Sequence, residues 1–146
     1  MKNVIAIASG KGGVGKSTVA ANLAVWMANN ILPGHDAPLK VALIDVDFYG
    51  PSIPTIMGGG DIYAADDNRI IPAKRHNVDY ISIAFFCKSK DDPIIWRGPR
   101  FGKAMEQLFK EVNWGEPDIC IVDMPPGTGD AQLSLTQVCE LSGVVL

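Results

Sequence analysis

Short unbroken apolar runs alternate along this chain with stretches whose large apolar residues recur every three or four positions. Val4-Ile5-Ala6-Ile7-Ala8, Val41-Ala42-Leu43-Ile44 and Ile119-Cys120-Ile121-Val122 are the runs. A run without polar alternation predicts a strand covered on both faces. Val19, Leu23, Trp26 and Met27 stand at i, i+4, i+7 and i+8, which predicts a helix with one apolar face. Asn29-Asn30 and Pro33-Gly34 end it.

Gly50-Pro51, Pro54 and Gly58-Gly59-Gly60 mark a long irregular stretch. Asp66-Asp67-Asn68 predicts a turn between two short extended pieces, and Tyr80 to Phe86 alternates as a strand does. The clearest helical stripe is Phe101, Ala104, Met105, Leu108, Phe109 and Val112, opened by Pro99 near its first turn. It reads as core. Asp130 is placed to cap the next helix, and Gly143-Val144-Val145-Leu146 begins another strand. Strand and helix in alternation predict an α/β protein, a three-layer fold around a mostly parallel sheet. Residues 1–146 read as a single domain. The final apolar run meets the chain end, so the sheet is expected to be incomplete at its C-terminus.

Composition narrows the partners. Of 146 residues, 47% are hydrophobic and 20% charged, as in a soluble globular domain. The formal net charge of −3 speaks against a nucleic-acid surface. Lys88, Lys90, Arg97, Arg100 and Lys103 lie close in sequence and read as a solvated face. Cys87, Cys120 and Cys139 show no C-x-x-C spacing, which excludes a disulfide framework or a zinc site built on that pattern. His35 and His76 fall in polar stretches and read as surface residues. The run from Val4 to Ala8 is too short for a signal or membrane segment. The expectation is a cytoplasmic protein with no membrane partner.

The first strand runs straight into Ser9-Gly10-Lys11-Gly12-Gly13-Val14-Gly15-Lys16-Ser17-Thr18. Gly10 to Ser17 satisfies G-x-x-x-x-G-K-[ST] with a strand before it and a helix after it. Glycines let backbone N–H groups close on phosphate oxygens, and the helix N-terminus favours the anion. Lys16 supplies a charge for the β/γ-phosphates of ATP, and the Ser17 hydroxyl a ligand for Mg²⁺. The predicted nucleotide-binding residues are Gly10, Lys11, Gly12, Gly13, Val14, Gly15, Lys16, Ser17, Thr18 and Gly127.

Two predicted strands end in aspartate, Asp45 and Asp123. Strand C-termini of a parallel sheet converge on the ligand crevice. Both carboxylates are therefore expected beside the phosphate loop, where hydrolysis needs a group to hold magnesium. Asp47 points to the same side as Asp45 if the strand continues, and is the candidate to orient water. Pro125-Pro126-Gly127-Thr128-Gly129-Asp130 is stiff and then permissive, and the Gly127 N–H is suited to sense a γ-phosphate. Lys11 has no role in an ordinary phosphate loop.

Together these residues resemble the deviant Walker A ATPases, whose loop is defined by the extra lysine. Within that group the chain is similar to the Mrp family, the ApbC-like ATPases linked to iron–sulfur cluster carriage. The likeness rests on "SGKGGVGKST" (9–18), "LIDVDFYGPSIPTIMG" (43–58), "IIWRGPRFGKAMEQ" (94–107) and "DICIVDMPPGTGD" (118–130). It implies that this chain is the N-terminal part of a longer family domain. It implies a homodimer with nucleotide at the interface, with Lys11 reaching the partner's phosphates. Lys11, Lys16 and Asp47 would be catalytic. Ser17, Asp45 and Asp123 would be associated with Mg²⁺, the aspartates through water. Gly127 would be the switch glycine.

Three departures stand out. The segment 29–40 is longer and more polar than the family's turn. Arg100 replaces a common Met. The family's cluster-binding C-x-x-C is absent from these residues. Slow ATP hydrolysis and transfer of an iron–sulfur cluster to apo acceptor proteins form the first reading. A ParA/MinD-type positioning ATPase acting on DNA or membrane is the alternative. A small-molecule kinase is a third reading, which Lys11 disfavours.

Overall fold

The computed structural model describes residues 1–65, 69–86, 99–127 and 129–146. In chain order the elements are β1 (Val4–Ile7), α1 (Lys16–Asn29), β2 (Val41–Asp45), α2 (Ile53–Ile56), β3 (Tyr63–Ala64), β4 (Ile70–Ile71), β5 (Ala73–Arg75) and β6 (Val78–Ser82). A 3₁₀ turn (Ile83–Phe86) follows, then α3 (Pro99–Lys110), β7 (Ile119–Asp123), α4 (Asp130–Val138) and β8 (Gly143–Val145). The main sheet has the order β5-β6-β2-β7-β1-β8. Every neighbour pair is parallel except β5 with β6. This is the α/β, mostly parallel arrangement that the alternating runs predict.

Period-2 geometry splits each unbroken run between two cores. Val4, Ala6, Ala42, Ile44, Cys120 and Val122 face one side, where Phe101, Met105 and Leu108 of α3 and Leu135 of α4 cover them. Ile7, Val41, Leu43, Val78, Tyr80 and Ile121 face the other, against α1 and Ile53 and Met57. The sheet is thus the middle of three layers.

Two expectations are corrected. The buried face of α1 is Lys16, Ala20, Ala21, Ala24 and Ala28. Val19 and Trp26 are 49% and 52% exposed. Small side chains let the helix approach the sheet closely, so the alanine stripe is fully buried, while Leu23 and Met27 of the predicted face are half-buried at the edge of the same core. The alternation from Tyr80 to Phe86 also breaks early. β6 ends at Ser82, whose hydroxyl accepts the Ala84 N–H at 3.1 Å, and the chain turns into the 3₁₀ segment.

Two short pieces, β3 and β4, pair antiparallel. The Asp66-Asp67-Asn68 turn predicted between them lies outside the described residues, as do Cys87, Lys88, Lys90, Arg97 and Thr128. The backbone of α4 begins at Asp130, with Gly129 at the cap; the Asp130 side chain, the predicted cap, is not among those described. A two-residue hairpin joins β5 to β6 with His76 and Asn77 at φ 50° and 63°. Such backbone is costly without glycine. Asn29 at the end of α1 offsets it, donating to His76 O at 2.9 Å and accepting from Asn77 Nδ2 at 2.8 Å.

Candidate functional site: a phosphate loop backed by buried carboxylates

β1, β2 and β7 end together. The register sets Ile7 opposite Asp123, and Asp123 opposite Asp45. From this edge the chain leaves β1 through residues 8–15 and enters α1 at Lys16. Gly13 and Gly15 have φ of 74° and 92°, in the left-handed region that a side chain disfavours. Ser9 Oγ donates to Lys11 O at 2.8 Å and tightens the turn. A cavity of about 510 Å³ opens over the loop. Lys11, Gly12, Gly13, Gly15, Lys16, Ser17 and Thr18 line it, with Asp47, Tyr49 and Pro126 opposite.

Lys16 is buried and bridges two carboxylates. Its Nζ donates to Asp123 Oδ1 at 2.6 Å, to Asp47 Oδ2 at 3.3 Å and to Ser17 Oγ at 3.3 Å. Burial pushes the Asp123 carboxyl up, while its hydrogen bonds with Lys16 and Ser17 oppose that shift. Asp123 Oδ2 is the only buried side-chain oxygen among the described residues without a hydrogen-bond partner. An unpartnered carboxylate oxygen beside a serine hydroxyl suits a hard cation.

Asp45 sits deeper, and both its oxygens are engaged. Oδ1 accepts the Asp47 N–H at 3.1 Å. Oδ2 accepts the Ile53 N–H at 3.3 Å and the Ser82 hydroxyl at 2.9 Å. Burial, and then the nearby Asp123 charge, push its carboxyl up to about 7. Asp47 in turn accepts the Tyr49 and Gly50 N–H groups on Oδ1, which leaves Oδ2 toward Lys16. Phe48 packs edge-on against Phe101 of α3, with ring centroids 5.2 Å apart, and anchors this loop.

The structure therefore gathers Lys16, Ser17, Asp47 and Asp123 as the sequence predicts. Asp45 adjoins them from behind; neither it nor Asp123 lines the cavity, and Asp123 meets it through Lys16. The Gly127 N–H donates to Ser9 O at 2.9 Å, so it is occupied within the chain instead of facing the cavity. Gly10 and Val14 belong to the loop without lining the cavity. Lys11 is exposed at the mouth, and its side chain has no ion pair among the described residues.

Sequence reasoning gave no role to Tyr49 or Ser82, and named Pro126 only as part of the stiff segment before Gly127. A polar residue ending an apolar strand was the available signal for Ser82, the same signal that exposes Asp45 and Asp123. A larger cavity of about 730 Å³ lies at the opposite end of the sheet, near Asn3, Lys40 and Asp118. No unpartnered buried polar group among the described residues marks that one.

The family described as "ParA: NUBPL iron-transfer P-loop NTPase" matches residues 1–146. The chain belongs to that family. This P-loop NTPase is 46% identical over 148 residues to the iron-sulfur cluster carrier protein of Aquifex aeolicus, matching 100% of the chain and 39% of the relative. It is also 46% identical over 147 residues to the mitochondrial iron-sulfur protein required for NADH dehydrogenase of Arabidopsis thaliana, with 100% and 45% covered. The chain thus spans under half the length of these relatives. Among solved structures, it resembles an ADP-bound nucleotide-binding protein from Archaeoglobus fulgidus, with a TM-score of 0.76 and 36% identity over 97% of this chain and 52% of that one. The septum site-determining protein MinD of Pyrococcus horikoshii, bound to Mg-ADP, gives a TM-score of 0.62 at 23% identity over 96% and 56%; it shares the fold. No helix among the described residues is long and apolar enough to cross a membrane.

Proposed function

We propose that this chain binds and slowly hydrolyses ATP as the nucleotide-handling part of an iron–sulfur cluster carrier. The observation that carries the reading is Lys16, held 2.6 Å from Asp123 at the mouth of a glycine loop, in a chain 46% identical to a named cluster carrier. The lysine charge is met by Asp123 and Asp47. An entering phosphate competes with both carboxylates for that charge.

Ser17 Oγ and Asp123 Oδ2 are the groups that would hold Mg²⁺, with Asp45 behind them acting through water or through the backbone it binds. Bound there with ATP, the ion would draw charge from the β- and γ-phosphates. The chain's own residues do the rest. Lys16 shifts from carboxylate to phosphate. Asp47, released from Lys16, orients the attacking water through Oδ2. Gly127 exchanges Ser9 O for a phosphate oxygen. Lys11, exposed at the mouth, serves the phosphates of a second copy in a homodimer that encloses nucleotide.

Cluster carriage is a reading of the whole protein. Cys120 lies buried in β7 with its thiol pushed up by burial, a poor thiolate ligand. Cys139 Sγ is taken by Leu135 O at 3.5 Å. Neither of these two reads as a cluster ligand, so carriage rests on the C-x-x-C that the family resemblance implies and that these residues lack. The relatives' names favour carriage over the positioning reading, for which MinD offers fold alone.

Titration with a fluorescent ADP, with and without Mg²⁺, tests the site. The expected result is tighter binding with Mg²⁺, and no binding under either condition would overturn the reading. Carriage is tested on the full-length protein by iron–sulfide reconstitution and transfer to an apo acceptor. Failure there, with nucleotide binding intact, would remove the cargo and leave the ATPase.

A further inference from the structure

At the C-terminal edge of the sheet, three polar residues stand in one rank across three strands. The register sets Ser82 of β6 opposite Asp45 of β2, and Asp45 opposite Asp123 of β7. All three are fully buried. Asp45 and Asp123 have a place in the reading above. Ser82 has none: it neither lines the cavity nor touches Lys16 or Ser17.

We infer that Ser82 is a positioning residue: through its hydrogen bond to Asp45 it sets Asp47, and hence the water that Asp47 orients. This rests on the ATPase reading. The chain of contacts is continuous. The Ser82 hydroxyl donates to Asp45 Oδ2 at 2.9 Å, and the Ile53 N–H meets the same oxygen at 3.3 Å. With Oδ2 held, Oδ1 is turned toward the Asp47 N–H, 3.1 Å away. That contact sets the Asp47 backbone at the start of the loop. The Tyr49 and Gly50 N–H groups then take Asp47 Oδ1 and leave Oδ2 aimed at Lys16.

Ser82 is not a passive member of this chain. Its oxygen also accepts the Ala84 N–H at 3.1 Å, so its hydroxyl hydrogen is directed away from its own backbone and toward Asp45. A carboxylate with two free rotamers would place Asp47 loosely; one gripped from both sides places it tightly. Catalytic groups held loosely by about 1 Å lose rate without losing affinity for the bound ground state. Nucleotide affinity depends on the loop and Lys16, which Ser82 does not touch, so the two properties separate.

The test uses Ser82→Ala and Ser82→Cys, which remove or weaken the donor at nearly constant volume. Three readouts are taken on the whole chain: ATP turnover, fluorescent-ADP affinity with Mg²⁺, and amide hydrogen exchange by peptide. The expected result is a drop in kcat of about tenfold in Ser82→Ala and less in Ser82→Cys, with ADP affinity within about twofold. Faster exchange should be confined to the peptides spanning 45–53. Unchanged kcat and exchange would overturn the proposal. So would equal losses of kcat and affinity, or faster exchange spread over α1, α3 and β7, which mark general destabilisation. If the wild-type chain neither binds nor hydrolyses ATP, the ATPase reading falls by itself. Local exchange at 45–53 then still decides whether Ser82 positions the loop.

Discussion

The phosphate loop and the rank of strand ends behind it form one site by opposite means. The loop is exposed and works through backbone: glycines at positive φ, N–H groups and a helix start. The rank is buried and works through side chains: Ser82, Asp45 and Asp123, with Asp47 just beyond. Lys16 alone belongs to both. On the proposed reading, nucleotide binding and hydrolysis would draw on these two different kinds of group. The loop offers dipoles at little desolvation cost, whereas burial in the rank works against the charged form of each carboxylate and the donors that meet it only partly offset that.

Lys16→Ala breaks the comparison most severely, since it removes the shared residue. Nucleotide affinity should fall about 10- to 100-fold, the worth of one charge-assisted contact. Stability should fall by about 1–3 kcal/mol, because Asp123 Oδ1 loses its close cation in a buried site. Titration with labelled ADP and denaturant melts check both. A variant that loses affinity but gains stability would show that the Lys16 ion pairs do not stabilise the fold.

Asp123→Asn strikes the rank alone. It should abolish the Mg²⁺-dependent part of nucleotide affinity, about tenfold, while metal-free affinity holds. Binding curves in Mg²⁺ and in chelator separate the two. Equal loss in both would move Asp123 from metal holding to loop support.

Asp45 gives the rank a pH signature that the loop lacks. Its carboxyl is raised from 3.8 to about 7 in the folded chain. The folded state therefore holds this proton more tightly than the unfolded one, so stability falls as pH rises from about 4 to 7. Asp123 is shifted the same way and adds to the slope. Thermal melts of the nucleotide-free protein should give a Tm a few degrees higher at pH 5.5 than at pH 7.5. Asp45→Asn should flatten that difference, and a rising Tm over the interval would contradict the buried placement.

Lys11→Ala should do least, which sharpens the contrast within the loop itself. Exposed and without an ion pair among the described residues, the side chain supports neither the fold nor single-chain binding. Affinity within about twofold and stability within about 0.5 kcal/mol are expected. ATP-dependent dimerisation, followed by light scattering, is where its loss should register.

Legibility differs between the two regions for a physical reason. The loop is read from consecutive residues, because its function lies in backbone conformation and glycine spacing imposes it locally. The α3 stripe was equally legible, since large side chains at helical spacing have one place to go. α1 was not. Val19, Leu23, Trp26 and Met27 make the stronger pattern, yet the fully buried face is Ala20, Ala21, Ala24 and Ala28, with Leu23 and Met27 half-buried beside it and Val19 and Trp26 exposed. How near a helix may approach a sheet is a property of the assembled layers, and no window of sequence contains it.

By itself the sequence determined the alternation of strand and helix, the phosphate loop, Lys16 and Ser17, and the arrival of Asp45 and Asp123 at one edge, because parallel strands end together. Tertiary structure alone decided what each carboxylate does there. Register across β6, β2 and β7 gave both Asp45 oxygens to Ser82, Ile53 and Asp47, and left one Asp123 oxygen without a donor. It also gave the Gly127 N–H to Ser9. Identical residue types diverge in role because a buried oxygen is defined by the donors that reach it, and those donors come from segments far apart in the chain.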